Sequence, residues 1–314
     1  MKRLVIIPFL TSFLLGCEFL TTTDSLTGVH IDTHPVKILP LDSLPLPDIQ
    51  ISTADSLYSP FDEDSIEMTQ YREGRYYHPV AMLHRCQTFI GRYLESKNVN
   101  YIQRAEKYIT KLLSLALEDR EALFLPYMFR FSVHGDSSIT MEPPWVSGMA
   151  QGEFLTVLSR LYEITGNREY LESAGRVLRS ILSVKDTLNF WVSHHDSAGY
   201  FWIEEYPHLK SPGHTLNGFI FAIIGVYDYY RVTRDAKARL VYNASLTTLK
   251  HYLLEFRRRG NTSLYCLGHH HPANQSYHQL HIRQFRELSA ITGDPYYSAI
   301  ADLFELEVGG KSQW

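Results

Sequence analysis

The 314-residue sequence predicts an all-α domain, an (α/α) toroid of repeated helical hairpins with an inner and an outer ring of helices. Three observations predict it. A helix end, a short turn and a capping Asn or Asp recur at Asn98, Asn167, Asp235 and Asp294, at intervals of 69, 68 and 59 residues. The helix before each turn is apolar around much of its circumference, and the helix after it alternates apolar and charged faces, as inner and outer layers require. The segments that return from one hairpin to the next concentrate Tyr, Trp, His, Glu and Gln at the starts of the apolar helices.

Taken in order, Met1-Lys2-Arg3, an apolar run to Leu15 and the tetrapeptide Leu14-Leu15-Gly16-Cys17 read as a lipoprotein signal peptide over residues 1–17. The expectation is an exported protein, lipidated at Cys17 and anchored to a membrane at the periplasmic face or the cell surface. Residues 18–69, rich in Thr, Ser, Asp and Pro, are expected to be a tether whose later part lies against the domain. The toroid domain is placed at 70–314. Its inner helices are expected near 80–95, 150–164, 214–232 and 278–291, and its outer helices near 102–117, 169–183, 236–257 and 295–306.

With 30 Lys and Arg against 34 Asp and Glu, the formal net charge of -4 gives no basic excess to suit a nucleic acid partner. Once Cys17 is set aside, Cys86 and Cys266 are too few and too distant for a disulfide framework. Oligomeric state is not legible.

The chemistry concentrates in four return segments: 75–79, 143–152, 201–218 and 276–281. The helical repeat brings all four to one end of the ring, where they form a carbohydrate site. Trp202 offers a face for a pyranose, Glu204 and Glu205 can exchange protons or hold hydroxyls, and Tyr206 can do either. Candidates for binding the sugar and its carboxylate are Tyr77, His78, Trp145, Gln151, Trp202, Glu204, His214, Asn217, His278, His281 and Arg283. The runs His269-His270-His271 and His278/His281 lack a third ligand at a diagnostic interval, so no metal site is expected.

The motifs Pro144-Trp-Val-Ser-Gly-Met-Ala-Gln-Gly152, Glu204-Glu-Tyr-Pro207, Thr215-Leu-Asn-Gly-Phe-Ile220, Gly225-Val-Tyr-Asp228 and Tyr277-His-Gln-Leu-His-Ile282 resemble the C-terminal catalytic domain of the D-glucuronyl C5-epimerases of heparan sulfate and heparosan, in order, from about Tyr76 to Leu306. The resemblance implies a uronate-containing polysaccharide substrate, C5 proton removal and return, and no redox or nucleotide cofactor. It implies catalytic roles for Glu205, Tyr206, Tyr265 and Tyr277. After Tyr265 the family continues with Asp, Leu and Arg, whereas this chain has Cys266 and Gly268 at the Asp and Arg positions. The readings that compete are a polysaccharide lyase, a glycoside hydrolase using Glu204 or Glu205, and a catalytically idle glycan-binding lipoprotein.

Overall fold

The computed structural model describes residues 26–44, 60–72 and 74–309; the signal segment and Cys17 lie outside them. Among the described residues, eight α-helices pair into four hairpins. They are α1 (Pro79–Ser96) with α2 (Val99–Leu115), α3 (Gly148–Thr165) with α4 (Arg168–Leu182), α5 (Leu216–Thr233) with α6 (Ala236–Tyr252), and α7 (Gln275–Thr292) with α8 (Pro295–Gly309). Each hairpin turn follows one local rule. The first helix ends on a left-handed residue, Lys97, Gly166, Arg234 or Gly293, whose N–H returns to the carbonyl four residues back. One residue later Asn98, Asn167, Asp235 or Asp294 accepts the N–H two residues on and starts the second helix.

The inner helices pack in sequence, α1 on α3, α3 on α5 and α5 on α7, each backed by its outer partner. The closest approach is between α3 and α5, which are buried nearly all round. It depends on two glycines: a β-carbon at Gly225 would stand 1.9 Å from the Gly152 carbonyl oxygen, and one at Gly152 would stand 2.3 Å from Ala222 Cα. Lower on the same pair, buried Arg160 donates to buried Asp228 at 2.9 Å, and Arg231 pairs with Glu163. Among the described residues the result is an incomplete (α/α) toroid, with a cavity lined by both α1 and α7 between its first and last inner helices.

Five two-stranded antiparallel ribbons, which the all-α expectation did not include, build the return segments. They are β1 (Thr69–Tyr71) with β2 (Gly74–Tyr76), β3 (Leu117–Asp119) with β4 (Ala122–Phe124), β5 (Phe131–Ser132) with β6 (Thr140–Met141), β7 (Ser193–His195) with β8 (Phe201–Ile203), and β9 (Leu264–Cys266) with β10 (His271–Pro272). At two or three residues each, they are too short to establish a period of two in the sequence. Helix α6 also ends sooner than its pattern suggests, at Tyr252, and a 3₁₀ turn at Leu253–Phe256 takes over.

Residues 26–44, within the segment read as a tether whose later part lies against the domain, form a strap bound along it. Asp32 N–H donates to Thr247 Oγ1 at 2.8 Å and Lys37 N–H to the Ile291 carbonyl at 2.7 Å. The Tyr227 hydroxyl receives Leu39 N–H at 3.2 Å and donates to the Lys37 carbonyl at 2.8 Å. Leu26 and Leu44 are buried at the two ends of this segment. The strap starts at the β7–β8 turn, where His30 N–H donates to the Gly199 carbonyl at 3.0 Å, and meets α5 and α7 toward their C-terminal ends. No described helix is long and apolar enough to cross a membrane.

Candidate active site

The centre of the site is Glu205, carried just beyond β8 and pressed against the first turn of α5. Gly218 makes the approach possible, since a β-carbon there would lie 2.5 Å from Glu205 Oε2. The preceding carbonyl is held as well: Gly148 N–H, at the start of α3, donates to Glu204 O at 2.7 Å. Two helix N-termini thus bracket the Glu204-Glu205 segment, where their dipoles favour a carboxylate.

Tyr265 of β9 donates its hydroxyl to Glu205, 3.2 Å from Oε1 and 3.3 Å from Oε2. Asn217 Nδ2 stands 3.5 Å from Oε2. The Tyr206 hydroxyl is 3.5 Å from that of Tyr265, and the Tyr277 ring meets the Tyr265 ring edge-on with centroids 4.8 Å apart. One carboxyl and three phenols therefore form a continuous group. Burial pushes the Glu205 carboxyl up to about 7, against the opposing effect of the Tyr206 and Tyr265 hydroxyls; nearby Glu153 and Glu204 push it further up. Burial and then the Glu205 charge hold Tyr206 and Tyr265 well above the usual phenol range, and Tyr277 is raised by the same two causes.

These groups open into a cavity of about 750 Å³. One wall is aromatic: Tyr127 stacks on Trp145 at 4.0 Å, Trp145 Nε1 donates to the Phe129 carbonyl, and Phe131 stacks on Tyr206 at 5.4 Å. The opposite wall is α7, with Tyr277, Leu280, Arg283 and Glu287. Arg283 is the sole Lys or Arg among the described residues that line the cavity. At its α1 side His84 Nε2 lies 2.7 Å from Glu153 Oε1, and His78 faces the cavity with its pKa lowered to about 4, first by burial and then by His84.

Of the residues singled out in the sequence, His78, Trp145, Glu205, Tyr206, Asn217, Tyr277 and Arg283 line this cavity, and Tyr265 lines an adjoining one of about 330 Å³ with Tyr206 and Tyr277. The others are placed elsewhere. Trp202 is fully buried, stacked on His214 at 4.2 Å, with its Nε1 donating to Asp196, so it has no face for a sugar. Glu204 is fully buried and saturated: Gly213 N–H and His214 N–H donate to Oε2, and His194 Nε2 lies 2.9 Å from Oε1. Burial alone would raise its pKa, but His194 and His214 outweigh it and the carboxyl is held below the usual range. Gln151 is spent on the Leu123 and Leu125 backbone and on Ser180. Tyr77 donates to Asp62 at 2.7 Å. His278 is bound to Ser263 and the Phe304 carbonyl, and His281 to Ser263 Oγ, which makes both of them supports for β9.

Sequence reasoning passed over Tyr127, Phe129 and Phe131. Their spacing of two was the available signal, since an extended segment puts alternate residues on one face. Gly268, at the position where the resemblance leads one to expect Arg, has no room for a side chain: a β-carbon would stand 2.1 Å from the Pro212 carbonyl oxygen.

By fold and site the chain is an (α/α)-toroid protein with a carboxyl–tyrosine cleft at one end of the ring. It belongs to the family described as D-glucuronyl C5-epimerase C-terminus, whose pattern matches residues 118–305. It is 29% identical over 192 residues to a D-glucuronyl C5-epimerase of Caenorhabditis elegans, covering 53% of this chain and 29% of that protein. It is also 29% identical over 173 residues to an uncharacterised protein of Methanocaldococcus jannaschii, covering 54% and 53%. The matches thus span about half or less of these relatives. Among solved structures, a cellobiose 2-epimerase of Bacillus thermoamylovorans aligns with a TM-score of 0.51 at 16% identity, over 74% of this chain and 61% of that one. A polysaccharide lyase aligns with a TM-score of 0.50 at 15% identity, over 80% and 66%. Both share the fold.

Proposed function

We propose that this protein is a carbohydrate epimerase that inverts C5 of a uronate residue within a polysaccharide. The observation that carries the proposal is the buried Glu205 carboxyl, held near neutral pKa and hydrogen-bonded to a tyrosine in a cleft lined by aromatic rings. A carboxylate of that basicity is matched to removing a weakly acidic carbon-bound proton near neutral pH. The phenols, raised in pKa and facing an anion rather than a cation, are proton donors in the resting protein, not tyrosinate bases.

In the forward step the Glu205 carboxylate takes the C5 proton and becomes the acid, and the C–H electron pair spreads into the adjacent sugar carboxylate. Arg283, which lines the cavity from the α7 wall, would pair with that carboxylate. A phenol from another wall, Tyr277 or Tyr206, then delivers its proton to the opposite face of C5. The Glu205 proton returns to that phenol through the Tyr265 hydroxyl, which contacts Glu205 directly and lies next to both tyrosines. All groups regain their starting states, so no redox partner is consumed. The aromatic wall suits the apolar faces of sugars.

The test is incubation of uronate polymers such as heparosan in deuterated water, followed by NMR of C5 deuterium and of the glucuronate to iduronate ratio. Deuterium at C5 with a changed ratio is the expected result. An unsaturated uronate would make the protein a lyase, and new saturated reducing ends would make it a hydrolase. Binding with no exchange at C5 would reduce it to a glycan-binding protein.

A further inference from the structure

A second cluster of reactive side chains lies beside the catalytic group and takes no part in the chemistry above. His134, at the turn between β5 and β6, places Nε2 3.2 Å from Cys266 Sγ on β9. His269, in the β9–β10 turn, places Nδ1 3.6 Å from the same sulfur. The three ligand atoms lie within 4.8 Å of one another. On a tetrahedral zinc ion with bonds of about 2.3 Å to sulfur and about 2.05 Å to nitrogen, those atoms would be roughly 3.6 Å apart. The two nitrogen–sulfur distances already match that figure to within a few tenths of an ångström.

We propose that His134, Cys266 and His269 form a metal site for a zinc-like transition-metal ion, a clasp that ties the β5–β6 ribbon to the β9–β10 ribbon at the rim of the cleft.

Two further features fit the proposal. His269 Nε2 lies 2.9 Å from Ser211 Oγ, so a donor role for Nε2 leaves the Nδ1 lone pair turned to the cysteine, the outer-shell arrangement that orients metal-bound histidines. His134 stacks on His271 at 3.9 Å, which fixes the plane of its ring. Three protein ligands leave a fourth position for water. Binding converts the Cys266 thiol to a thiolate, and its proton leaves to solvent. The sequence alone argued against any metal because its third ligand, His134, lies 132 residues from Cys266. The neighbouring His194–Glu204–His214 group is a weaker candidate, since Glu204 already accepts from two backbone N–H groups.

The test uses the full chain, stripped with a chelator and titrated with Zn²⁺ or Co²⁺ alone. One ion per chain should bind, and the Co²⁺ form should show a thiolate-to-metal charge-transfer band. Cys266→Ser should abolish that band and weaken Zn²⁺ by more than the roughly 10- to 100-fold typical of losing an outer-shell partner. His134→Gln, on a partly exposed turn, should weaken it similarly, with folding checked by circular dichroism. Zn²⁺ should raise the thermal midpoint of the parent and leave both variants unmoved. Absence of stoichiometric binding would overturn the proposal. So would a Co²⁺ complex without a thiolate band, or one lost in His194→Ala but kept in Cys266→Ser.

Discussion

At Glu205 three local facts act together: burial, a helix N-terminus that only Gly218 lets it approach, and the hydroxyl of Tyr265. Its raised pKa has two consequences with opposite signs. For turnover, only the ionised carboxylate accepts a proton, so kcat/KM on a uronate polymer should rise with pH and level off above about 7. For stability, the folded protein holds a proton that the unfolded chain releases once the pH passes the ordinary value of 4.5, so stability falls as pH rises from there to about 7. Glu205→Gln removes that titration. Its thermal midpoint should exceed the parent's at pH 8, by the equivalent of on the order of 3 kcal/mol at most, and the gap should close near pH 5. Turnover of the variant should be lost at every pH. Among the phenols, Tyr265→Phe cuts the path by which the Glu205 proton returns, whereas Tyr277→Phe removes a donor on the α7 wall. Each should lower turnover by about 10²- to 10⁴-fold with the fold intact by circular dichroism. An unchanged rate in both would remove Tyr265 and Tyr277 from the mechanism and leave Tyr206 as the donor.

The helices were the part of this protein most legible in the sequence, because the caps Asn98, Asn167, Asp235 and Asp294 mark every hairpin turn and the apolar period separates inner from outer helices. The ribbons were illegible because two or three residues carry no period, yet they decide which aromatic side chains face the cleft. That explains the mixed result for the site. Glu205, Tyr206, Tyr265 and Tyr277 come together, while Trp202 and Glu204, close in sequence to Glu205, fall on the buried side of the same segment. A stretch reading Phe201-Trp-Ile-Glu-Glu-Tyr does not say which residues face inward; the hydrogen bonds of Asp196 to Trp202 and of His194 to Glu204 do. At the α3–α5 crossing, Gly225→Ala would drive a β-carbon into the Gly152 carbonyl, a backbone atom that cannot rotate away. A loss of several kcal/mol or failure to fold is expected, beyond the roughly 1–3 kcal/mol of ordinary overpacking, and is measurable by denaturant unfolding. Gly166→Ala, at an open hairpin turn with nothing within 4 Å, should cost far less and serves as the control.

At the scale of the whole molecule, the described residues form four hairpins bound by the strap of residues 26–44. Tyr227 is a fastening with two hydrogen bonds, and Tyr227→Phe leaves the Leu39 N–H and the Lys37 carbonyl without that partner. A loss of about 1–3 kcal/mol is expected, together with faster proteolysis within the strap; equal proteolysis rates in parent and variant would show that the strap is held by other contacts. The position of the cleft bears on what kind of molecule it can receive. It lies at one end of the helix ring, between the aromatic wall and α7. A substrate lying across that end need not thread the ring, so under the proposed function residues in the middle of a polymer are as reachable as those at its tips. Polymers whose two ends are chemically blocked should therefore be modified as fast as unblocked ones, with the altered sugars scattered along the chain from the first turnovers.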